Sequence, residues 1–179
     1  GTAELTLQDV QAASASAEGS IVLNDRKEIA GEVKIGTADV DATFAELRRA
    51  GIRLDSVTPG IVTGPLQIEA SISGAIGSPI AQLNVASSRL VVKPVAKGGA
   101  LAGTLRAEAT ASRDRVTVKD LRFEQSPASF LHTSGEWNNG SVSFSGELRH
   151  ASVKELIQVA EASADPATLP EGPLAADFK

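Results

Sequence analysis

The residue types that most often carry catalysis or bind metal ions are sparse and scattered in this chain. His132 and His150 are its two histidines, and it contains no cysteine. Neither histidine has a second His or Cys at the spacing of metal ligands, and an isolated histidine is usually a partly exposed surface group. No Ser/His/Asp arrangement or carboxylate pair has the spacing that acid–base or nucleophilic catalysis needs. We therefore expect no enzyme activity, no metal site and no cofactor.

Two glycine-containing segments resemble functional motifs without satisfying them. Gly98-Gly99 and the following Gly103 fit neither GxGxxG nor GxxxxGK(S/T), so we interpret them as a turn rather than a phosphate loop. Asn139-Gly140-Ser141 is formally a glycosylation sequon. The same residues are a strong signal for a two-residue β-hairpin, because a type I′ turn needs the positive φ that Asn and Gly tolerate. We favour the hairpin.

Composition indicates one folded, mostly aliphatic chain. The 179 residues are 42% hydrophobic, 22% charged and 3% aromatic, with a net charge of −5. The hydrophobic and charged fractions are those of ordinary globular proteins, and positive charge is not concentrated as it is in nucleic-acid binders. We expect no nucleic-acid partner. The chain has no methionine, and we interpret residues 1–179 as a single fragment of a longer repetitive protein.

Alternating apolar and polar residues predict β-strands with one buried face. Leu66–Ser73 alternates without a fault, and Leu101–Ala111 alternates with unusually small apolar residues. Arg113-Asp114 then predicts a turn into a strand that begins near Val116, which gives an antiparallel hairpin.

Three short segments recur in the same order, which predicts an internal repeat. They are Leu5–Val10 with Val116–Leu121, Gly31–Lys34 with Gly146–Arg149, and Gly64–Leu66 with Gly172–Leu174, at offsets of 111, 115 and 108. We divide the chain into copy one at 4–74, intervening strands at 75–112, and a truncated copy two at 115–179. In both LTLQDV and VTVKDL the apolar phase slips by one residue, which predicts a β-bulge near Asp9 and near Asp120.

One short amphipathic helix is predicted in each copy. Residues 39–50 place Val40, Phe44 and Leu47 on one face, with Asp39 and Asp41 in the first turn. In copy two, a helix is predicted to begin at Ser152 with a capping box to Glu155.

The segments GPLQIEASISG, VTVKDL, SGEW, FSGEL and EGPL, together with a helix between the copies, resemble the AsmA-like and TamB-like family of bacterial envelope proteins. The resemblance lies in the pattern along nearly the whole chain and includes no catalytic motif. It implies a curved antiparallel sheet, forming a partly open trough with an apolar interior and two short helices. It also implies a parent anchored in the inner membrane outside this fragment and a fragment located in the periplasm.

The function implied by this resemblance is phospholipid transport between inner and outer membranes and outer-membrane biogenesis. The implied partners are phospholipid acyl chains and an outer-membrane barrel protein. The predicted groove residues belong to the alternating strands and are Leu66, Ile68, Ile72, Leu101, Leu105, Val116 and Val118. The same residues could instead close an ordinary sandwich core, because alternation shows that a face is hidden without showing what hides it.

Two other functions remain open at the level of sequence. The chain could be an assembly platform or chaperone that pairs a strand edge with β-barrel clients. It could also be a passive β-solenoid adhesin, which the repeat and the low aromatic content favour.

Overall fold

The computed structural model describes residues 2–12, 14–49, 62–93, 100–152 and 172–178. The described part of the chain is one open antiparallel sheet of eleven strands with one helix, α1 (Val40–Arg49). The strands are β1 (Ala3–Ala12), β2 (Ala15–Leu23), β3 (Glu28–Thr37), β4 (Val62–Thr63), β5 (Leu66–Ala75), β6 (Ile80–Val92), β7 (Leu101–Ala111), β8 (Arg115–Ser126), β9 (Ser129–Asn138), β10 (Ser141–His150) and β11 (Leu174–Phe178). The predicted fold class, mostly β with an open antiparallel sheet, is confirmed.

Strands follow one another across the sheet almost in chain order, as β1-β2-β3-β5-β6-β7-β8-β9-β10-β11. The short β4 pairs with the end of β6. β1 and β11 therefore each have one neighbour and form the two edges. The predicted strands Leu66–Ser73 and Leu101–Ala111 lie within β5 and β7. Their strict alternation places all their apolar side chains on one face of the sheet.

The predicted hairpin turns are present. Asn139 and Gly140 have φ angles of 45° and 86°, as a type I′ turn requires, and they join the paired residues Asn138 and Ser141. The turn at Arg113-Asp114 joins β7 to β8, closed by a hydrogen bond from the Ser112 N–H to the Arg115 carbonyl oxygen.

Both predicted bulges are also present, at matching places. In β1, Gln8 and Asp9 lie opposite the single residue Glu18, between the pairs formed by Leu7 and Val10. In β8, Lys119 and Asp120 lie opposite Ser134, between the pairs formed by Val118 and Leu121. The extra residue returns the apolar side chains to their original face after the sequence slips by one.

The strand order of the two proposed copies is the same, but one of the sequence matches is out of register. Ile21 of β2 pairs with Gly31, whereas Trp137, at the matching place in β9, pairs with Val142. The residue that corresponds to Gly31 is therefore Val142, and Gly146 lies four residues further along the strand. The predicted match of Gly31 with Gly146 is wrong in register, although an even shift keeps both glycines on the same face.

Little of the described part of the chain is a closed core. Val40 and Leu90 are the buried apolar residues among those described, with 5% and 7% of their surface exposed. The accessible surface of the chain is 11482 Å² at 18.4 kDa, whereas a compact monomer of this mass exposes about 8200 Å². A single layer of strands with two accessible faces adds to this surface.

The helix predicted at residues 39–50 is α1. The turn predicted at Gly98-Gly99 and the second helix predicted after Ser152 lie outside the described residues. The proposed copy boundaries stay a prediction.

Candidate functional site: the apolar face of the sheet

Apolar side chains from neighbouring strands align in rows that cross the sheet. One row runs through successive paired residues, from β1 to β10: Leu5, Ile21, Gly31, Ile72, Ala81, Ala111, Val116, Trp137 and Val142. A second consists of Leu7, Gly19, Val33, Ala70, Leu83, Ala109, Val118, Gly135 and Phe144. Directly opposed residues in a sheet point to the same face, so both rows lie on one face, here called the apolar face.

A third row continues this face and reaches the opposite edge. It consists of Val10, Ala17, Ile35, Ile68, Val85, Ala107, Leu121, Thr133, Gly146 and Phe178. Thr133 is the one polar residue in this row, and its hydroxyl donates to the Ser145 carbonyl oxygen at 2.9 Å. This row crosses ten strands, and at about 4.8 Å between neighbouring strands it spans roughly 43 Å. Rows two residues apart are separated by about 7 Å.

The predicted groove residues all lie on the apolar face. Ile68, Ile72, Val116 and Val118 belong to the three rows, and the remaining ones extend the face along their strands: Leu66 pairs with Thr37, Leu101 with Val92 and Leu105 with Phe123. Each of these predicted residues is half-buried. Side chains of the same face shield one another, while the face as a whole stays accessible.

Sequence reasoning missed the contributions of β1 to β3 and of β9 to β11. The large apolar residues that they add include Leu5, Leu7, Ile21, Val33, Ile35, Leu131, Trp137, Phe144, Leu148 and Phe178. In β1 the bulge interrupts the alternation, and in β9 the apolar positions include the small or polar Gly135 and Thr133. The available signal was the pairing itself, since cross-strand partners of predicted groove residues must share their face.

Aromatic rings lie close to two glycines of this face. A Cβ atom on Gly135 would lie 2.3 Å from Phe144 Cδ1, and one on Gly103 would lie 2.9 Å from Phe123 Cζ. Gly135 and Phe144 are direct cross-strand partners. Gly103 lies one row away from Phe123, which pairs with Leu105. The rings therefore occupy the space above the glycines, which keeps this part of the apolar face shallow.

The opposite face of the sheet is polar and carries mixed charges. Arg115 pairs with Glu136, Lys34 lies 3.4 Å from Glu69, and Arg149 pairs with Glu147. These groups are largely exposed, so each pair contributes little stability. Their effect is to make this face soluble and to distinguish it from the apolar face.

The helix attaches at the end of the sheet where β3 stops and β5 starts. Asp39 Oδ1 accepts hydrogen bonds from the N–H groups of Asp41, at 3.0 Å, and Gly64, at 3.3 Å. Gly64 has φ of 108°, and a Cβ atom there would lie 2.3 Å from the Arg89 carbonyl oxygen. Asp39 thus caps α1 and holds it to a junction that requires glycine.

The two histidines have different environments. His132 is exposed on the polar face, where its Nε2 lies 2.5 Å from Asp120 Oδ1. His150 is buried, contrary to the expectation of a surface group, with Nδ1 2.7 Å from the Ser152 carbonyl oxygen and Nε2 3.0 Å from Gln125 Oε1. His150 lies at the end of β10, where it pairs with Leu174. The hydrogen bonds compensate for the burial of its ring.

Among the described residues, no group of three His, Cys, Asp or Glu side chains could hold a metal ion. A surface depression of about 670 Å³ beside His132 is lined by Ser134, Ser145 and Glu147, but no hydrogen bond joins either serine to the histidine. The expected absence of enzyme activity stays a prediction.

Comparisons with known proteins identify no relatives: no family model, no curated protein and no solved structure matches the chain. Within the part of the chain that the structure describes, no helix has the length and apolar character needed to span a bilayer. The resemblance to envelope proteins therefore stays a hypothesis.

Proposed function

We propose that the apolar face binds the acyl chains of phospholipids and that the protein contributes to phospholipid transport between the inner and outer membranes. The observation that carries this proposal is the set of apolar rows that cross the sheet from edge to edge. The periplasmic location, the inner-membrane anchor of the parent and the role in outer-membrane biogenesis follow from the family resemblance.

The dimensions of the apolar face fit this ligand. A bilayer has a hydrocarbon core about 30 Å thick, so one acyl chain extends over about 15 Å. The rows of the sheet are roughly 38 to 43 Å long, which leaves room for a chain to lie along a row and to move along it. Grooves of this kind need no specific polar site, because the apolar contact is non-directional.

The energy of acyl-chain burial is sufficient for binding. Each buried methylene contributes about 0.8 kcal/mol, so a chain of about 14 carbons gains on the order of 10 kcal/mol before its ordering costs. Partial coverage by an open face lowers this value, which favours release as well as capture. A conduit requires both.

A closed sandwich core is the opposing interpretation of the same side chains. Among the described elements, the main packing contacts are between neighbouring strands and between α1 and β4. No second sheet made of the described strands covers the apolar face, since all of them belong to one sheet. The exposure of Ile35, Val142 and Phe144 also fits an uncovered face.

The test replaces Ile68, in the middle of β5, with Glu. On an open face, water reaches the new carboxylate, so we expect Ile68→Glu to change the melting temperature by a few degrees at most. In a closed core, an unpaired charge costs several kcal/mol and the protein unfolds. Melting is followed by circular dichroism, with Gln67→Glu on the polar face of the same strand as the matched control.

Lipid contact is measured in the same variants with a photoreactive amino acid at Ile72. We expect crosslinks to phospholipid in the parent sequence and in Gln67→Glu, and a loss of at least severalfold in Ile68→Glu. Mass spectrometry of lipid that copurifies with the protein provides a second readout. Absence of lipid crosslinks in the parent sequence, or collapse of the Ile68→Glu melt, would remove the basis of the proposal.

A further inference from the structure

Two arginines lie directly opposite each other on the polar face of the sheet. Arg106 of β7 is the cross-strand partner of Arg122 of β8, and directly opposed residues point to the same face. Like charges at such positions destabilise a sheet. The neighbouring row on this face pairs two carboxylates, Glu108 and Asp120, at a distance of about 7 Å along the strands. An anion bound between the arginines would remove their mutual repulsion.

The nearby carboxylates leave Arg106 without a counter-charge. Asp120 Oδ1 lies 2.5 Å from His132 Nε2 and is engaged there. Glu124 Oε2 lies 3.6 Å from Arg122 Nε, which is too long for a hydrogen bond. Among the residues that the structure describes, the Arg106 side chain makes no ion pair and no hydrogen bond. Its guanidinium donors are therefore available to a ligand.

The two arginines line a depression of about 620 Å³, here called the polar-face depression. Its lining includes Arg122 and Glu124 but not Phe123, which lies between them and points to the apolar face, opposite Leu105. The depression therefore opens on the polar face. Its volume lies in the range of clefts that hold small ligands. Further lining residues have side chains that can donate hydrogen bonds to an anion, and they are Gln67, Ser88 and Thr104.

A phosphate group fits the donors of this depression. The planar guanidinium of arginine presents paired N–H groups that match two phosphate oxygens. Two such groups on neighbouring strands, whose backbones are about 4.8 Å apart, can hold one phosphate between them. The Arg122 guanidinium also lies 5.8 Å from the centroid of the Phe130 ring, a cation–π contact that restricts its position.

We propose that Arg106 and Arg122 together bind a phosphate group in the polar-face depression, where the surrounding hydroxyl and amide donors complete its coordination. Two sources share this chemistry, a soluble phosphate ester and the headgroup of a phospholipid at a membrane surface. The site lies on the face opposite the apolar rows, so this inference does not depend on acyl-chain binding.

The probe is inorganic phosphate, added to the intact protein at constant ionic strength with chloride as the reference anion. Binding is followed by nuclear magnetic resonance of the backbone amides. We expect saturable shifts at millimolar phosphate or below, centred on Arg106 and Arg122. Chloride should not produce these shifts, because it cannot make the bidentate contact that a phosphate makes with a guanidinium group.

Two matched variants test the arginine pair. Arg106→Gln removes charge-assisted hydrogen bonds and should weaken phosphate binding by about tenfold or more. Arg113→Gln, in the exposed turn between β7 and β8, changes the net charge equally and should leave the affinity within about twofold, because the turn contributes no phosphate contact. Both side chains are exposed, so both variants should fold, as circular dichroism will verify.

Thermal melting gives a second readout of the same pair. Without phosphate, Arg106→Gln should melt at the same temperature as the parent sequence or higher, since the like-charge pair is gone. A ligand that binds the folded state raises the melting temperature, so phosphate should raise it in the parent sequence and in Arg113→Gln more than in Arg106→Gln.

Two further measurements distinguish the sources of the phosphate. Glycerol phosphate represents a soluble ester, and vesicles of phosphatidylcholine with or without phosphatidic acid present the headgroup at a surface. Competition by glycerol phosphate without vesicle binding would assign a soluble ester. Sedimentation of the parent sequence, but not of Arg106→Gln, with phosphatidic acid vesicles would assign a headgroup. Ile68→Glu, on the apolar face, should leave phosphate binding unchanged in either case.

Two results would overturn the inference. The first is absence of a saturable shift at Arg106 and Arg122 with millimolar phosphate. The second is equal weakening of binding in Arg106→Gln and Arg113→Gln, which would show that overall charge rather than the arginine pair attracts the anion.

Discussion

Glycines on the apolar face allow close contact between neighbouring strands. A Cβ atom on Gly31 would lie 2.1 Å from the Ser20 carbonyl oxygen, and one on Gly19 would lie 2.1 Å from that of Glu32. These contacts are with backbone atoms, which cannot move aside as a flexible side chain can. At Gly135 the contact includes the Phe144 ring as well. Glycine therefore determines both the strand geometry and the height of the apolar face.

The change Gly135→Ala should destabilise the protein. Its Cβ atom would lie 2.3 Å from Phe144 Cδ1 and 2.4 Å from the Ser143 carbonyl oxygen, so both the ring and the backbone must shift. We expect a loss of about 2–3 kcal/mol in the free energy of unfolding, the size typical of overpacking.

Urea unfolding measures this loss, and Gly77→Ala is the matched control. A Cβ atom on Gly77 would meet nothing within 4 Å, so its substitution should change stability by about 0.5 kcal/mol or less. Equal effects of the two substitutions would show that the close contact at Gly135 does not determine the local packing.

Individual groove residues could be predicted where the sequence alternates without interruption. Ile68 and Ile72 in β5 were assigned to a common face because no residue of Leu66–Ser73 breaks the pattern. Leu7 and Phe144 belong to the same face but could not be assigned, since alternation within a strand says nothing about the partner strand until the pairing is known.

Among the elements, the helix α1 is capped at its start by the side chain of Asp39. Asp39 accepts from the N–H groups of Asp41 and Gly64, and the Val40 N–H donates to the Gly64 carbonyl oxygen at 3.0 Å. These bonds tie the first turn of the helix to the strand junction before β5. Further along the helix, the Ser14 hydroxyl donates to Glu46 Oε2 at 3.0 Å, and the Thr37 and Thr43 hydroxyl oxygens lie 2.7 Å apart.

We expect Asp39→Ala to lower the free energy of unfolding by about 1–2 kcal/mol, as loss of a helix N-cap does. Asp39→Asn keeps an oxygen that can accept both bonds and should recover most of this loss. Urea denaturation of the three proteins gives the values. If Asp39→Asn is as unstable as Asp39→Ala, the negative charge rather than the hydrogen bonds is what the site requires.

The turns and bulges of the strands were more predictable than the register between strands. The hairpin at Asn139-Gly140 and the bulges near Asp9 and Asp120 have local causes, a turn type and a phase slip, which a short segment contains. The residue that lies opposite Gly31, and the one opposite Gly146, depends on the length of the preceding loop. The first copy joins β2 to β3 through four residues, 24–27, and the second joins β9 to β10 through two, 139–140. A Gly-Glu match of a few residues does not contain this information.

At the scale of the whole molecule, the sequence could not distinguish an open sheet from a sandwich. Both bury one face of each strand and show the same alternation. The distinction lies in whether a second layer packs on the apolar face, and the described strands all belong to one sheet. The exposure of Ile35, Val142 and Phe144 on that face fits the single layer.

Distances across the sheet in solution test the open arrangement directly. The chain has no cysteine, so Leu5→Cys and Val142→Cys provide two unique sites for spin labels at the ends of one row. They are separated by eight strand spacings, or about 38 Å in a flat sheet. Curvature into a trough shortens this distance, whereas folding of the sheet into two packed layers would reduce it to about 10–15 Å, the separation of stacked sheets.

A second pair, Ile72→Cys with Val142→Cys, calibrates the measurement. It covers five spacings, or about 24 Å when flat, and so short an arc is shortened less by curvature. We expect pulsed electron paramagnetic resonance to give a longer distance for Leu5 with Val142 than for Ile72 with Val142. Because of curvature, the ratio of the two distances should be smaller than eight to five. A shorter distance for the outer pair than for the inner pair would mean that the edges of the sheet come together. The apolar face would then be enclosed by the protein itself, and acyl chains would not find the surface proposed for them.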